Sequence, residues 1–211
     1  MKIRHSELEQ CRTNPRAWVA SQFEGSHGHP TFGYGQALKL AIYAFHKTND
    51  AVESKQYLSE KMKRFVNDVR KAECEIALER YITWMEVNSV IVADCKVRLN
   101  LLLDEGVTLG GEISRVDILP NDDIYRAILL GDTPQGWRRE LRMPLIQHEI
   151  SLKYSRPVDL VAVGFQSVDG SGLETTRYRT SRIKEAVKEA QEIGHLASGE
   201  WQRRSRVSMV R

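Results

Sequence analysis

Cysteine is scarce in this sequence, which has three cysteines in 211 residues. Cys11, Cys74 and Cys95 are odd in number and widely spaced and form no CxxC pair, which argues against a disulfide framework and a cysteine-based zinc cluster. No apolar run reaches the roughly 20 residues that a membrane-spanning helix needs, and residues 1–5 lack the apolar stretch of a secretory signal. We therefore expect a cytoplasmic protein with no membrane association.

A strong excess of charge of one sign is missing too, since the net charge is +3. Hydrophobic residues make up 41% and charged residues 28% of the chain, proportions typical of a globular protein and unlike those of a disordered one. The length predicts a single domain with at most a small appendage. Residues 199–211 are predicted to form that appendage, a basic tail that contains Arg203, Arg204 and Arg206.

Helical spacing of apolar residues dominates residues 1–93. A helix is predicted over residues 37–47, and residues 55–92 are predicted to form one long helix or two in succession. Between these helices and the N-terminal segment, residues 25–35 are rich in glycine and predict a loop. His27 and His29 lie in that loop without a marked third ligand, so we interpret them as loop residues and not as a metal site.

The apolar period changes in residues 94–198. Residues 96–103, 108–119 and 124–130 predict a three-stranded antiparallel meander, residues 143–154 a helix, residues 159–168 and 173–180 a strand pair, and residues 182–197 a closing helix. This order predicts an α/β (α+β) protein with a mixed sheet of about five strands flanked by helices.

Three local motifs resemble those of a known superfamily. Residues 5–18 contain His5, Ser6, Leu8, Cys11 and the run Asn14 to Trp18, residues 111–117 read Gly-Glu-Ile-Ser-Arg-Val-Asp, and residues 144–147 read Pro-Leu-Ile-Gln, followed by Tyr154. They resemble the opening helix, the GxIDRVD strand and the glutamine-motif helix of the RecB-like and Cas4-like branch of the PD-(D/E)xK nucleases. The resemblance covers nearly the whole chain and implies a restriction-endonuclease-like core.

Active members of that superfamily hold one or two divalent metals with carboxylates, which activate water beside the scissile phosphate. One acid ends the second strand of the core, and an acid-x-lysine triplet lies on the third. The matching positions in this sequence are Ser114, Leu129 and Gly131. Leucine cannot bind a metal, and serine alone binds Mg²⁺ poorly. The resemblance therefore implies a degenerate nuclease site with no metal.

A migrated site is the alternative that would keep Mg²⁺-dependent cleavage. Glu112 would share the strand face of Ser114, whereas Asp117, three residues further on, is expected to point to the opposite face. Glu140 and Arg142 imitate an acid-x-base pair, although Glu140 is more simply a surface glutamate. Gln147 could position such a site or the nucleic-acid backbone, or could be an ordinary helix-surface residue.

An iron–sulfur cofactor is not expected. Cys11 matches the first cysteine of the cluster-binding Cas4 group, whose remaining ligands lie toward the carboxyl end, but no cysteine follows Cys95. Cys11 is then interpreted as a packed apolar residue.

Several basic residues are candidates for contacts with phosphates. They are Arg115, Arg126, Arg138, Arg139 and Arg142, with Gln147 beside them and Arg203, Arg204 and Arg206 in the tail. A separate candidate surface for a protein partner contains Phe65, Tyr81 and Trp84, although large side chains at helical spacing are also typical of an ordinary core.

Together these observations predict a catalytically inactive subunit that binds nucleic acid, scaffolds an active partner, or does both. The resemblance implies a helicase, a nuclease or another co-encoded protein as that partner, in DNA repair, recombination or antiviral defence. Two alternatives stay open: an active Mg²⁺-dependent nuclease built around Glu112, and a protein-interaction adaptor that never contacts nucleic acid.

Overall fold

The structure is a computed structural model that describes residues 1–24, 33–88, 90–119, 124–130, 136–163 and 174–208. His27, His29 and Gly131, which figured in the sequence predictions, lie outside these residues. Among the described helices, none is long and apolar enough to cross a membrane.

Five helices precede most of the sheet. After a 3-10 turn at His5–Glu7 they are α1 (Leu8–Thr13), α2 (Pro15–Glu24), α3 (Tyr34–Thr48), α4 (Ala51–Met62) and α5 (Asp68–Asn88). The side chain of Asp50 starts α4 by accepting hydrogen bonds from the backbone of Val52 and Glu53. The segment predicted as one long helix or two is therefore two helices, α4 and α5.

The predicted meander is confirmed. Strands β2 (Ile91–Asp104), β3 (Val107–Leu119) and β4 (Ile124–Leu130) pair in antiparallel fashion. Gly106 adopts φ +70° in the turn between β2 and β3, a backbone conformation that favours glycine. The strong alternation of apolar residues in this region explains why the sequence was sufficient to locate all three strands.

The sheet is mixed and has six strands among the described residues. Strand β1 (Lys2–Arg4) pairs in parallel with residues 108–110 of β3. Strand β4 lies along the same edge of β3 and pairs with residues 115–119. Strand β5 (Val158–Val163) lies parallel to β4, and β6 (Glu174–Thr176) is antiparallel to β5. The sequence analysis missed β1 because three residues are too short to show a period.

Helices cover both faces of the sheet. One face packs against α3, α4 and α5, and we call it the α3 face. The other packs against α1, α2, α6 (Arg142–Tyr154) and α7 (Thr180–Ser208), and we call it the α6 face. Because α7 runs to Ser208, residues 199–208 of the predicted basic tail continue the closing helix, which was predicted to end at residue 197.

The 3-10 turn that follows β1 lies tightly against β3. A Cβ atom added to Gly111 would lie 2.4 Å from Cδ2 of His5, so this approach requires glycine at position 111. The imidazole of His5 lies 3.2 Å from the Glu149 carboxylate, whose second oxygen accepts a hydrogen bond from the backbone of Asn100. These contacts connect the amino-terminal segment, α6 and β2.

Candidate functional site

Strand β3 is irregular between the part that pairs with β1 and the part that pairs with β4. Ile113 and Val116 both pack in the cluster on the α6 face, which strict alternation of side chains would not allow. Ser114 and Arg115 lie between them, and both point to the α3 face. Ser114 contacts Tyr43, and Arg115 contacts Tyr81. On the neighbouring strand, Lys96 adopts φ +55° opposite Ser114. This irregularity changes which residues share a face.

Two sequence predictions are corrected by this geometry. Asp117 was expected to point away from the face of Ser114, but it contacts Arg115 on the same α3 face. Leu129 was taken as the third-strand counterpart of Ser114, but it packs on the α6 face. Ile128 and Leu130 point to the α3 face instead, and the Leu130 backbone donates a 3.2 Å hydrogen bond to the Ser114 hydroxyl. Neither of these two residues of β4 can supply a metal ligand from its side chain.

Glu112 is the partly exposed carboxylate of this region. Its Oε1 accepts a 3.0 Å hydrogen bond from the Tyr43 hydroxyl and lies 3.8 Å from Nζ of Lys39. Burial lowers the pKa of Lys39, while the charge of Glu112 opposes that change. The carboxylate is thus balanced by an amine and a phenol from α3.

A buried polar network extends from β3 into the layer of helices. Nη2 of Arg115 donates a 2.7 Å hydrogen bond to Asp117, and Nη1 donates to the Tyr81 hydroxyl, which is also hydrogen-bonded to Nε2 of His46. Arg115 and Asp117 are each 2% exposed. Burial raises the pKa of Asp117, and the Arg115 charge opposes that rise. Arg115 was predicted to bind phosphate, but its buried guanidinium is already paired.

These side chains do not suit the divalent metal of an active nuclease. Mg²⁺ is bound through carboxylate oxygens and water, and a nuclease site needs several such ligands together. In the part of the chain that the structure describes, no group of three His, Cys, Asp or Glu residues could hold a metal ion. The described acids of the α3 face, Glu112 and Asp117, are balanced by Lys39 and Arg115.

A second polar region forms where α6 meets the segment between β6 and α7. Gln147 is 4% exposed, and its side-chain amide makes two hydrogen bonds with the backbone of Tyr178. The amide nitrogen donates to the Tyr178 carbonyl at 3.0 Å, and the amide oxygen accepts from the Tyr178 backbone nitrogen at 2.7 Å. The Tyr178 hydroxyl donates a 2.5 Å hydrogen bond to the backbone carbonyl of Arg138. Gln147 therefore has a structural role that sequence reasoning had left open.

These bonds bring two arginine-rich segments together. Burial raises the pKa of Tyr178 to about 12, while the charges of Arg138 and Arg182 oppose that rise. We define the arginine patch as the set Arg138, Arg139, Arg142, Arg179 and Arg182. Arg139 and Arg179 are its exposed members. Within the patch, Arg142 pairs with Glu140 and Arg182 lies 3.6 Å from Glu185.

The sequence analysis found only part of this patch. Arg138, Arg139 and Arg142 were predicted as phosphate ligands, whereas Arg179 and Arg182 were missed. A signal was present, because residues 177–182 read Arg-Tyr-Arg-Thr-Ser-Arg, a basic run around one aromatic ring. That run was interpreted as the end of a strand and the start of a helix.

Other predicted phosphate ligands have different surroundings. Arg126 lies opposite Asp117 in the β3–β4 ladder, and its charge acts to lower the pKa of that carboxyl. Arg203 and Arg204 both donate hydrogen bonds to the carboxylate of Glu200, at 2.6 to 2.9 Å. Arg206 is exposed near the end of α7. Two tail arginines are thus already paired within the helix.

One of the three residues of the predicted docking surface belongs to the core, and the other two are half-buried. Tyr81 is 1% exposed, which corrects the prediction that it contacts a partner. Phe65 stacks on Tyr34 with ring centroids 4.2 Å apart. Trp84 is half-buried, and its ring centroid lies 5.5 Å from the Arg115 guanidinium. These rings stabilise the helices and the buried network.

No known protein family matches the sequence, and no curated protein matches it. Among solved structures, the chain is similar to the crystal structure of "Putative exonuclease" from Eubacterium rectale. The TM-score is 0.50 and the identity 8%, and the match covers 85% of this chain and 73% of that chain. The structure of SSO0001 also matches, with 8% identity over 88% of this chain and 85% of that chain, but a TM-score of 0.30 is too low to support an argument. The first likeness shows the fold alone: a mixed sheet with flanking helices, compatible with a nuclease-like core.

Proposed function

We propose that this protein is a PD-(D/E)xK-like subunit of the RecB-like and Cas4-like type that binds nucleic acid without cleaving it and supports an active partner. The partner is a co-encoded helicase or nuclease in DNA repair, recombination or antiviral defence. The observation that supports the loss of cleavage is the chemistry of the α3 face, where Ser114, Ile128 and Leu130 have no carboxylate and Arg115 balances Asp117.

Nucleic-acid binding is supported by the arginine patch. Its residues come from the start of α6, the turn before α6 and the start of α7, and they are held together through Tyr178. Arginine binds phosphate oxygens through a planar set of donors, and contacts with the backbone do not require catalysis. Arg139 and Arg179 are exposed, so they are the patch members to which we assign the main phosphate contacts.

The cleavage alternative depends on Glu112, which is solvent-accessible and has Lys39 within 3.8 Å. A carboxylate beside a lysine is part of the set of residues that metal-dependent cleavage of DNA requires. This pair is the observation that supports the alternative. A single carboxylate balanced by Lys39 and Tyr43 provides too few ligands for Mg²⁺. We therefore favour binding without cleavage, with no cofactor.

The proposal is tested by binding and cleavage assays on the same duplex DNA. Fluorescence anisotropy at several salt concentrations should show binding that weakens with salt, because neutralised phosphates release counterions. Removing two phosphate contacts with Arg139→Gln and Arg179→Gln should flatten the slope of log affinity against log salt by about 2. The DNA should stay intact in Mg²⁺ or Mn²⁺.

Arg70→Gln with Arg80→Gln is the matched control, since it removes two exposed positive charges from α5, which packs on the opposite face of the sheet from α6 and α7. Cleavage of DNA that disappears in Glu112→Gln would establish the active-nuclease alternative. Absence of any salt-dependent binding, with the fold intact, would favour the protein-interaction adaptor.

A further inference from the structure

A cavity of about 640 Å³ lies between α3, α4 and β2, apart from the arginine patch. Helix α3 contributes Leu40, Tyr43, His46 and Lys47, α4 contributes Glu53 and Tyr57, and β2 contributes residues 92–96. Cavities of this size suit a nucleotide-sized ligand. The apolar part of the lining includes Leu40 and Val92, so one side can accept a planar ring.

The polar lining contains an excess of hydrogen-bond donors. Lys47 and Lys96 are exposed amines on α3 and β2. Two carboxylates also line the cavity, but Asp94 accepts hydrogen bonds of 3.0 Å from both Lys153 and Tyr154. The negative charge of Glu53 therefore faces the two positive charges of Lys47 and Lys96 in the lining. A ligand rich in acceptors and negatively charged complements this set.

His46 adds a directed donor. The guanidinium of Arg115 can only donate, so the Tyr81 hydroxyl accepts from it and donates its own proton to Nε2 of His46. The neutral imidazole must then carry its proton on Nδ1. Burial, together with the charge of Arg115, lowers the pKa of His46 to about 4, which keeps the ring neutral near pH 7. The chain from Asp117 through Arg115 and Tyr81 thus fixes one tautomer in the cavity lining.

The backbone of Lys96 has an unfavourable conformation. Its φ of +55° lies in the left-handed region, which glycine or asparagine adopts more easily than lysine does. In this conformation Nζ of Lys96 lies 4.8 Å from the centroid of the Tyr43 ring. The strained backbone places the amine beside the cavity.

We infer that this cavity binds a phosphate monoester carried by a nucleotide, with Lys47, Lys96 and the Nδ1–H of His46 as donors to the phosphate. The phosphate belongs either to the end of a nucleic-acid strand or to a free nucleotide. For a strand end the inference rests on the proposed function; for a free nucleotide it stands alone.

Titration calorimetry with the full chain distinguishes these sources. The probes are one single-stranded oligonucleotide with a 5′-phosphate, a 3′-phosphate or neither, and adenosine monophosphate. Charge-assisted hydrogen bonds predict that a phosphate end, or free monophosphate, binds at least about tenfold more tightly than the matching hydroxyl compound. Lys47→Gln with Lys96→Gln should reduce that preference to about twofold or less.

Arg70→Gln with Arg80→Gln is again the control and should keep the preference, because α5 contributes no residue to the cavity lining. Binding of the oligonucleotide without a terminal phosphate reports on the proposed function separately, since that molecule has no phosphate monoester for the cavity. If no probe shows a phosphate preference, or if the Lys47 and Lys96 variant retains it, the inference is wrong, whether or not DNA binds elsewhere.

Nuclear magnetic resonance checks the role of the buried chain. The ¹⁵N shifts of His46 should show a proton on Nδ1 in the native protein, and Tyr81→Phe should shift the tautomer balance and weaken the phosphate preference. A proton on Nε2 in the native protein would remove His46 from the set of donors and overturn its assignment.

Discussion

The two faces of the sheet are stabilised by different chemistry. The α6 face is packed with aliphatic side chains such as Ile113, Val116 and Ile146. The α3 face has aliphatic residues too, but β3 places the buried pair Arg115 and Asp117 among them. Apolar packing follows from burial alone, whereas a buried ion pair must recover the large cost of removing two charges from water.

This contrast indicates that the buried pair has a role beyond stability. A well-packed pair of apolar residues often stabilises a core as much as a buried ion pair does. On the α3 face the pair is connected through Tyr81 to His46, which lines the large cavity. The buried pair therefore fixes the orientation of His46 relative to a ligand in the cavity.

The largest expected effect comes from breaking the buried pair. Asp117→Ala should lower the free energy of unfolding by about 3 to 5 kcal/mol, because it leaves the Arg115 charge buried without its carboxylate. Urea unfolding measures the change. Arg115→Met combined with Asp117→Leu should recover most of the loss, since no charge then stays buried. A loss below about 1 kcal/mol in Asp117→Ala would contradict the contrast between the faces.

A smaller effect is expected from pH. The pKa of His46 is about 4 in the folded protein and 6.5 when unperturbed, so between those values the unfolded chain binds a proton that the folded chain does not. Stability should therefore fall as the pH decreases from 6.5 toward 4, by about 2 kcal/mol at pH 5 as an upper bound.

His46→Gln is the comparison for that prediction, because glutamine can still accept from Tyr81 but does not titrate. Tyr81 contacts His46, and the charge of Arg115 acts on it. Because other carboxyls titrate in the same range, the difference between the two proteins isolates the imidazole. Parallel curves of stability against pH for wild type and variant would show that His46 is not the source.

Sequence reasoning found most of the fold because its signals are periodic. It located the meander and the helix pair, and it missed β1, whose three residues show no pattern. The predicted face of Asp117 was wrong because side chains do not alternate strictly along β3. Ser114 and Arg115 point to the same face, and this irregularity moves Asp117 to that face as well. No local pattern marks that irregularity, because it depends on pairing with β1, β2 and β4.

The candidate site was less predictable for a related reason. An arginine in a strand is usually exposed, so Arg115 was assigned to phosphate, and only its burial beside Tyr81 and Asp117 shows otherwise. The hydrogen bonds between Gln147 and Tyr178 join residues 31 positions apart. Contacts at that separation follow from the fold and leave no local trace in the sequence.

The smallest expected effect compares the two ends of α7. Arg179 and Arg182 lie at its start within the arginine patch, whereas Arg203 and Arg204 near its end share the Glu200 carboxylate, whose pKa their hydrogen bonds lower to about 2. An arginine that already neutralises a carboxylate gains less from a phosphate. Arg203→Gln with Arg204→Gln should therefore change the salt slope of DNA binding by less than about 0.5, against about 2 for the Arg139 and Arg179 pair. A slope change as large at this end as at the patch would show that DNA follows the whole length of α7.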